Sequence, residues 1–89
     1  MFIKIFTKQG CKDCVWQKKA IKAVFNPNQY EVIDAEDGGD GESQADAYGI
    51  QMLPATVVFD DNDNPIIIKE GKITTHDIKK EIIYIQGKN

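Results

Sequence analysis

Residues 2–25 read FIKIFTKQGCKDCVWQKKAIKAVF and contain both cysteines of this 89-residue chain. The first part, FIKIFT at 2–7, is dominated by β-branched and aromatic side chains and predicts a strand. The next part, KQGCKD at 8–13, has the composition of a loop. From Cys11 to about Phe25 the apolar residues recur with a helical period. The stretch therefore predicts a strand, a loop and a helix, with both cysteines where the loop meets the helix.

The first predicted helix has one apolar face and one lysine face. On a helical wheel the lysine face holds Lys18, Lys19 and Lys22. Gln17 falls inside the apolar arc and does not fit it. For Trp16 we predict packing in the core, and the other interpretation is a ring that borders the cysteines. The residues expected to face inward are Cys14, Trp16, Ala20, Ile21, Ala23, Val24 and Phe25.

The rest of the chain predicts further elements in a definite order. Proline at 27 ends the first helix because proline does not continue a helix. The elements that follow are a strand at 29–35, a mobile acidic loop at 36–41, a short helix at 42–50, strands at 55–59 and 65–69 around the turn DDNDN at 60–64, and a helix at 74–86.

This order, β-α-β-α-β-β-α, predicts one α/β domain over residues 1–89 with a four-stranded mixed sheet and helices on both faces. The strand-helix-strand half requires a parallel crossover, and the second half is a hairpin closed by a helix. In the last helix Thr74 or Thr75 is the expected N-cap. Its expected core residues are Ile78, Ile82, Ile83 and Ile85.

Composition and charge exclude several classes of function. The formal net charge is -3, so no basic field favours nucleic acid as a partner. No stretch approaches the roughly 18 apolar residues of a membrane span. The start MFIKIF lacks the features of a secretory signal. We therefore expect a cytoplasmic protein that binds neither nucleic acid nor membrane. We also expect a monomer, although none of these features bears on the oligomeric state.

The cysteine pair lies at a predicted position that favours a reactive thiolate. Cys11 is at or next to a helix N-terminus, where free N–H groups and the helix dipole stabilise a thiolate. Lys8 and Lys12 add positive potential, and Asp13 opposes it. Cys14 is three residues further on, so the two sulfurs are neighbours on one helix face. An outer thiolate with an inner partner suits thiol–disulfide exchange.

Other interpretations of the pair stay open. A structural zinc site needs four ligands, and this chain has one cysteine pair and one histidine, so zinc would require a dimer. The cysteines are also compatible with incidental occurrence. We expect His76 to be a surface residue. The acidic stretches 34–42 and 60–64 do not fit a calcium-binding loop, and we interpret them as a solvated loop and a hairpin turn.

Two segments carry a resemblance to a known family. IFTKQGCKDCVWQKKAI at 5–21 resembles the active-site segment of glutaredoxins, with a lysine three residues before the first cysteine and C-x-x-C at the head of a helix. IQMLPATVVF at 50–59 resembles the stretch of glutaredoxins and thioredoxins in which a cis-proline precedes the third strand. Pro54 is the matching proline. The order of elements is also similar to the minimal thioredoxin fold, so the resemblance covers essentially the whole chain.

The resemblance implies a role for each matching residue. Cys11 would be the attacking thiolate and Cys14 the resolving thiol. Pro54 would be cis, and the backbone of Leu53 would pair with an extended substrate. Lys8 would meet a glutathione carboxylate. The residues predicted to bind substrate are Lys8, Lys12, Asp13, Leu53 and Pro54.

The implied function is reduction of protein or low-molecular-weight disulfides, with service as an electron donor to a reductase such as ribonucleotide reductase. No metal or organic cofactor is implied, apart from glutathione as reductant or substrate. The implied partners are disulfide-containing proteins, and either glutathione or a thioredoxin-reductase-type enzyme as the electron source. The alternative from another class is a non-catalytic thioredoxin-fold module that holds a metal or a protein through the cysteine pair.

The sequence departs from the glutaredoxin pattern at several positions. Asp13 stands where glutaredoxins usually carry an aromatic residue, and Met52-Leu53 stands where Thr-Val is usual. Gly71 is alone where a glycine pair is usual. Thioredoxins have a tryptophan before the first cysteine, where this chain has Gly10. The departures favour a specificity closer to that of thioredoxins, without altering the expected dithiol chemistry.

Overall fold

The computed structural model describes residues 1–87. The order of its elements confirms the predicted β-α-β-α-β-β-α arrangement. The elements are β1 (Phe2–Thr7), α1 (Lys12–Val24), a short 3₁₀ turn (Pro27–Gln29), β2 (Tyr30–Asp34), α2 (Asp40–Ala47), β3 (Ala55–Phe59), β4 (Pro65–Glu70) and α3 (Thr75–Gln86).

The four strands form one mixed sheet in the order β2-β1-β3-β4. β1 is parallel to β2 and antiparallel to β3, and β3 and β4 form an antiparallel hairpin. Phe6 near the end of β1 lies opposite Ala55 at the start of β3. This register places the loop that carries the cysteines beside Pro54, which directly precedes β3.

The sheet is covered on both faces, as the sequence predicts. Alternate residues of a strand point to opposite faces, so each strand contributes to two cores. The face under α1 and α3 is aliphatic except for one phenylalanine and holds Ile3, Ile5, Ile21, Phe25, Val58, Ile67, Ile73, Ile78 and Ile82. The face under α2 holds Phe6, Ile33, Ala35, Ala45, Ala55, Val57 and Phe59.

The buried face of α1 differs from the prediction. Its buried residues are Cys14, Gln17 and Ile21, spaced three and four apart. Trp16 is 42% exposed and Val24 is 43% exposed, so the prediction that they pack in the core is wrong. The buried stripe is rotated away from the centre of the apolar arc, because the amide of Gln17 finds hydrogen-bond partners inside and its burial is therefore tolerated.

α3 confirms most of its prediction. Thr74 is the N-cap, and its Oγ1 accepts the N–H of Asp77 at 3.1 Å. Ile78 and Ile82 are buried, but Ile83 is 70% exposed, so its predicted place in the core is wrong. Ile83 follows Ile82 directly and is rotated by about 100° around the helix, which turns it away from the sheet.

The elements between β1 and β3 shift by one to three residues from the prediction. β2 is one residue shorter at each end than 29–35, and α2 begins at Asp40 and ends at Ala47 instead of spanning 42–50. The last part of the predicted acidic loop is therefore helical. Within the described residues, no helix is long and apolar enough to cross a membrane.

Candidate active site

Cys11 and Cys14 form a disulfide at the start of α1. Cys11 is the N-cap residue, and its Sγ accepts the N–H of Cys14 at 3.1 Å. Cys11 is partly exposed, while Cys14 is only 1% exposed. The predicted position of Cys11 at a helix N-terminus is confirmed. The outer cysteine of the pair is therefore partly exposed, and the inner one is buried.

The turn into α1 depends on Gly10. Its φ of +72° lies in the left-handed region, which side chains with a Cβ rarely adopt. The turn leaves Cys11 extended, so its sulfur can accept a free N–H of the first helical turn. If the disulfide is opened, a thiolate on Cys11 stays next to that N–H and to the positive end of the helix dipole.

The segment before β3 forms the other side of the site. The Leu53–Pro54 peptide bond is cis, as the resemblance implies. Pro54 is buried and its C=O accepts the N–H of Gly71 at 2.7 Å. In the part of the chain that the structure describes, no group bonds the backbone N–H or C=O of Leu53. Leu53 itself is partly exposed.

Glu70 at the end of β4 holds this segment in place. Its Oε1 accepts the N–H of Met52 at 2.9 Å and also the N–H of Gln51. These hydrogen bonds favour the charged carboxylate and lower the pKa of Glu70 below its ordinary value. No local pattern in the sequence indicates this role of Glu70, because its partners lie 18 and 19 residues away.

Lys72 contacts the first turns of α1, and no local pattern in the sequence indicates these contacts. Its Nζ is 3.6 Å from Oδ1 of Asp13 and 5.4 Å from the centre of the Trp16 ring. Asp13 directly precedes Cys14, and Trp16 follows one half-turn later. Trp16 therefore lies with Asp13 and Lys72 on the exposed side of α1, and the structure gives no contact between its ring and the cysteines.

Gln17 joins the cysteine helix to the segment after β4. Its Nε2 donates to the C=O of Ile73 at 3.0 Å, and its Oε1 accepts the N–H of Ile73 at 2.8 Å. The side chain is 0% exposed. A polar residue inside an apolar arc was the signal in the sequence, but it did not identify the partner.

The remaining predicted residues are at the surface. Lys8 is exposed in the loop after β1, and Lys12 is exposed as the first residue of α1. Among residues 1–87 neither lysine forms an ion pair. His76 is exposed near the start of α3, as expected. The described residues contain no group of three or more His, Cys, Asp or Glu side chains that could hold a metal ion.

The comparisons with known proteins identify the fold. No protein-family model and no curated protein sequence matches the chain. Thioredoxin 1 from the thermophilic eubacterium Thermosipho africanus TCF52B is similar in structure, with a TM-score of 0.76 and 16% identity over 98% of this chain and 99% of that chain. A mutant thioredoxin from Halobacterium salinarum NRC-1 has a TM-score of 0.75 and 20% identity over 93% of this chain and 72% of that chain. Chloroplastic thioredoxin z has a TM-score of 0.72 and 18% identity over 97% of this chain and 78% of that chain. The chain thus has a thioredoxin fold, with a C-x-x-C disulfide at the start of its first helix.

Proposed function

We propose that the protein is a thiol–disulfide oxidoreductase in which Cys11 attacks and Cys14 resolves. The observation that carries the proposal is the asymmetry of the pair: Cys11 is a partly exposed residue at a helix N-terminus, and its disulfide partner Cys14 is buried. This arrangement favours a thiolate on the outer sulfur and keeps the inner thiol within reach of it.

The reaction transfers two electrons and two protons from the dithiol to a substrate disulfide. The thiolate of Cys11 attacks one substrate sulfur, the substrate S–S bond breaks, and the leaving thiolate takes a proton. Cys14 then loses its proton and attacks the sulfur of Cys11. The mixed disulfide breaks, the second substrate thiol leaves with a proton, and the protein holds the Cys11–Cys14 disulfide.

We further propose how a substrate is bound. An extended chain pairs with the free backbone groups of Leu53 beside Pro54, as a short added strand. Lys8 and Lys12 attract anionic groups towards Cys11, and Asp13 moderates their charge. The substrates are protein or low-molecular-weight disulfides, including that of a reductase which takes its electrons from this protein.

The proposal extends to the setting of the reaction. The protein works as a cytosolic monomer without a metal or organic cofactor. Glutathione or a thioredoxin-reductase-type enzyme returns the disulfide to the dithiol. The finer assignment, glutaredoxin-like or thioredoxin-like, depends on which of these two reductants is used.

Equilibration in glutathione redox buffers, with the products identified by intact mass, tests the proposal. A midpoint of about -200 to -230 mV with a glutathione adduct on Cys11 supports glutaredoxin-like recycling, and a midpoint near about -270 mV without an adduct supports recycling by a reductase. A pair that stays reduced in every buffer contradicts the proposal and favours the non-catalytic binding module, which stoichiometric zinc in the purified protein would support.

Two matched variants test the separate roles of the cysteines. Cys14→Ser is expected to accumulate a mixed disulfide through Cys11, because no thiol remains to resolve it. Cys11→Ser is expected to lose disulfide reduction. Reduction at the wild-type rate by Cys11→Ser would exclude the assigned order of attack.

A further inference from the structure

Three exposed lysines lie near the cysteine pair in a chain whose net charge is -3. Acidic residues are also close, because Asp34 and Glu36 lie beside Gln9 and Glu70 is two residues before Lys72, so the positive charge is local to the lysines. Around the pair, Lys8, Lys12 and Lys72 are exposed and Asp13 is the one acidic residue of α1 near them. The aromatic ring under Lys72 is Trp16, which is 42% exposed. This side of the site therefore offers positive charge and an apolar ring to an incoming chain.

The position of Lys72 is set from two directions. The next residue, Ile73, is bonded through both backbone groups to the buried amide of Gln17. The preceding residue, Gly71, donates its N–H to the C=O of Pro54. The segment 71–73 is thus attached to α1 one turn after Cys14 and also to the segment before β3.

Removal of the Gln17 amide is expected to lower the stability of the segment that it bonds. If Gln17 is replaced by an apolar side chain, the N–H and C=O of Ile73 lose their partners in a buried place. The Ile73 side chain stays in the core and Gly71 keeps its bond to Pro54, but the two hydrogen bonds that tie this backbone to α1 are lost. We expect Lys72 then to be held less well over Trp16, because a partly exposed cation–π contact is weak by itself.

We propose that Gln17 is a positioning residue that holds Lys72 over Trp16. The surface formed by Lys72 and Trp16 then selects protein disulfides that have an acidic side chain next to the reacting cysteine. The inference rests on the proposed disulfide exchange and names its substrate class. The ion pair of Lys72 with Asp13 is 3.6 Å long and both side chains are about half exposed, so a substrate carboxylate can compete for the ammonium. Charge at the rim of a contact mainly affects association and specificity.

The test compares three disulfides reacting with the pre-reduced full chain. Two are peptide disulfides that differ only in a Glu or a Lys beside the cysteine, and the third is a small neutral disulfide. Rates are measured by acid quench and mass spectrometry. We expect the acidic peptide to react about threefold faster than the basic one, the scale of a partly exposed ion pair, and the ratio to fall as salt is added.

Single and double variants test the contribution of the Gln17 amide and that of the Lys72 charge to this rate ratio. Lys72→Met and Gln17→Leu are each expected to bring the ratio of the two peptide rates close to one, and any general change in reactivity, reported by the neutral disulfide, cancels in that ratio. The double variant is expected to behave like Lys72→Met, because both changes remove the same contact. Lys19→Met, which removes an exposed lysine further along α1, is expected to keep the wild-type ratio.

Each of the other possible results contradicts either the inference or the proposed function. A wild-type ratio of one overturns the inference, and turnover of the neutral disulfide then leaves the proposed function standing. No reaction with any disulfide overturns both. A wild-type ratio in Gln17→Leu, or an equal loss of rate with all three substrates, shows that the amide does not act through Lys72. If Gln17→Leu does not fold, Gln17→Met replaces it, and a wild-type ratio in Lys72→Met alone is sufficient to overturn the inference.

Discussion

Two segments of this molecule are each held by a single carboxylate that accepts backbone N–H groups. Asp37, before α2, accepts three of them at 2.7, 3.0 and 3.2 Å, all within five residues of itself. Glu70, at the end of β4, accepts the N–H groups of Gln51 and Met52, which lie 19 and 18 residues away. The first arrangement starts a helix, and the second arranges the approach to the candidate active site.

The two carboxylates differ in what their hydrogen bonds require: those of Asp37 form within one local segment, and those of Glu70 depend on the tertiary structure. The hydrogen bonds of Asp37 need only the residues that follow it, so they can form together with α2. The hydrogen bonds of Glu70 require β4 to be paired with β3, where Glu70 lies opposite Ala55. We therefore expect changes around Asp37 to affect the stability of the fold, and changes at Glu70 to affect mainly the site.

The largest expected effect is that of Gly41→Ala, in the Asp37 segment. A Cβ at residue 41 would lie 2.0 Å from the backbone oxygen of Asp34 and 2.9 Å from Oδ2 of Asp37. The backbone has to move to relieve the clash, so we expect a loss of about 2–3 kcal/mol in the free energy of unfolding. Denaturant unfolding of the oxidised protein measures it. Ser43→Ala, on the exposed side of the same helix, should stay within about 0.5 kcal/mol of wild type. Equal stability of the two variants would contradict the predicted clash.

Asp37→Ala is expected to have the next largest effect. It removes the acceptor of three N–H groups at the start of α2, and the loss of a helix cap in a domain of this size lowers the melting temperature by about 4–8 °C. Asp37→Asn keeps an acceptor oxygen and should lose less. Disulfide reduction should be unchanged below the melting range, because α2 covers the face of the sheet opposite to α1. Slower reduction at unchanged stability would contradict the separation of the two segments.

Glu70→Ala should affect the site more than the fold. The N–H groups of Gln51 and Met52 are at the exposed surface and can bond water, so the change in melting temperature should be small. The segment before β3 then has to be ordered by the substrate, which should lower the rate with a protein disulfide about threefold. A small disulfide should react at the wild-type rate, and Glu70→Gln, which keeps an acceptor, is the control. Equal rates with the protein disulfide in Glu70→Ala and wild type would show that the carboxylate does not organise the site.

The smallest expected effect is a loss of stability in acid. Hydrogen bonds from backbone N–H groups lower the pKa of Asp37 below 3.8 and of Glu70 below 4.5, their ordinary values. Each contribution is complete above the ordinary pKa, where both the folded and the unfolded chain are charged. It is lost as the pH falls through that value towards the folded pKa, because the unfolded chain then binds more protons. Melting temperatures between neutral pH and the acid transition should therefore be level at first and then fall. Asp37→Asn should remove part of the fall in melting temperature below about pH 3.8. An unchanged dependence of the melting temperature on pH in this variant would contradict a contribution from Asp37.

Much of the fold was predictable from local patterns. The strand at 55–59, the N-cap at Thr74 and the place of Cys11 at the start of α1 follow from periodicity, capping chemistry and a turn with a glycine. The cis bond before Pro54 followed from the resemblance. The errors at Trp16 and Ile83 share one cause. An apolar arc shows which side chains could be buried, but the neighbouring elements decide which part of the arc is covered.

The candidate site was predictable only in part. Its chemistry depends on two cysteines in one helical turn, which a sequence pattern can recognise. The surroundings of the cysteine pair depend on contacts made by Gln17, Glu70 and Lys72. The partners of these residues are distant in the chain. Gln17 stands out in the sequence as a misfit, because a polar residue in an apolar arc needs a hydrogen-bond partner if it is buried. Glu70 and Lys72 are exposed charged residues in segments rich in them, so no pattern distinguished them.

By itself, the sequence determined the order of strands and helices and the pairing of an outer cysteine with an inner one, because those features depend on residues within a few positions of each other. The tertiary structure decided which side chains surround the pair. The bonds of Gln17 to Ile73 span 56 residues. They exist only because β4 returns the chain to the face of the sheet that α1 covers. Hydrogen bonds and charge contacts of this kind follow from the packing of whole elements, and packing is a property of the folded chain that local periodicity does not contain.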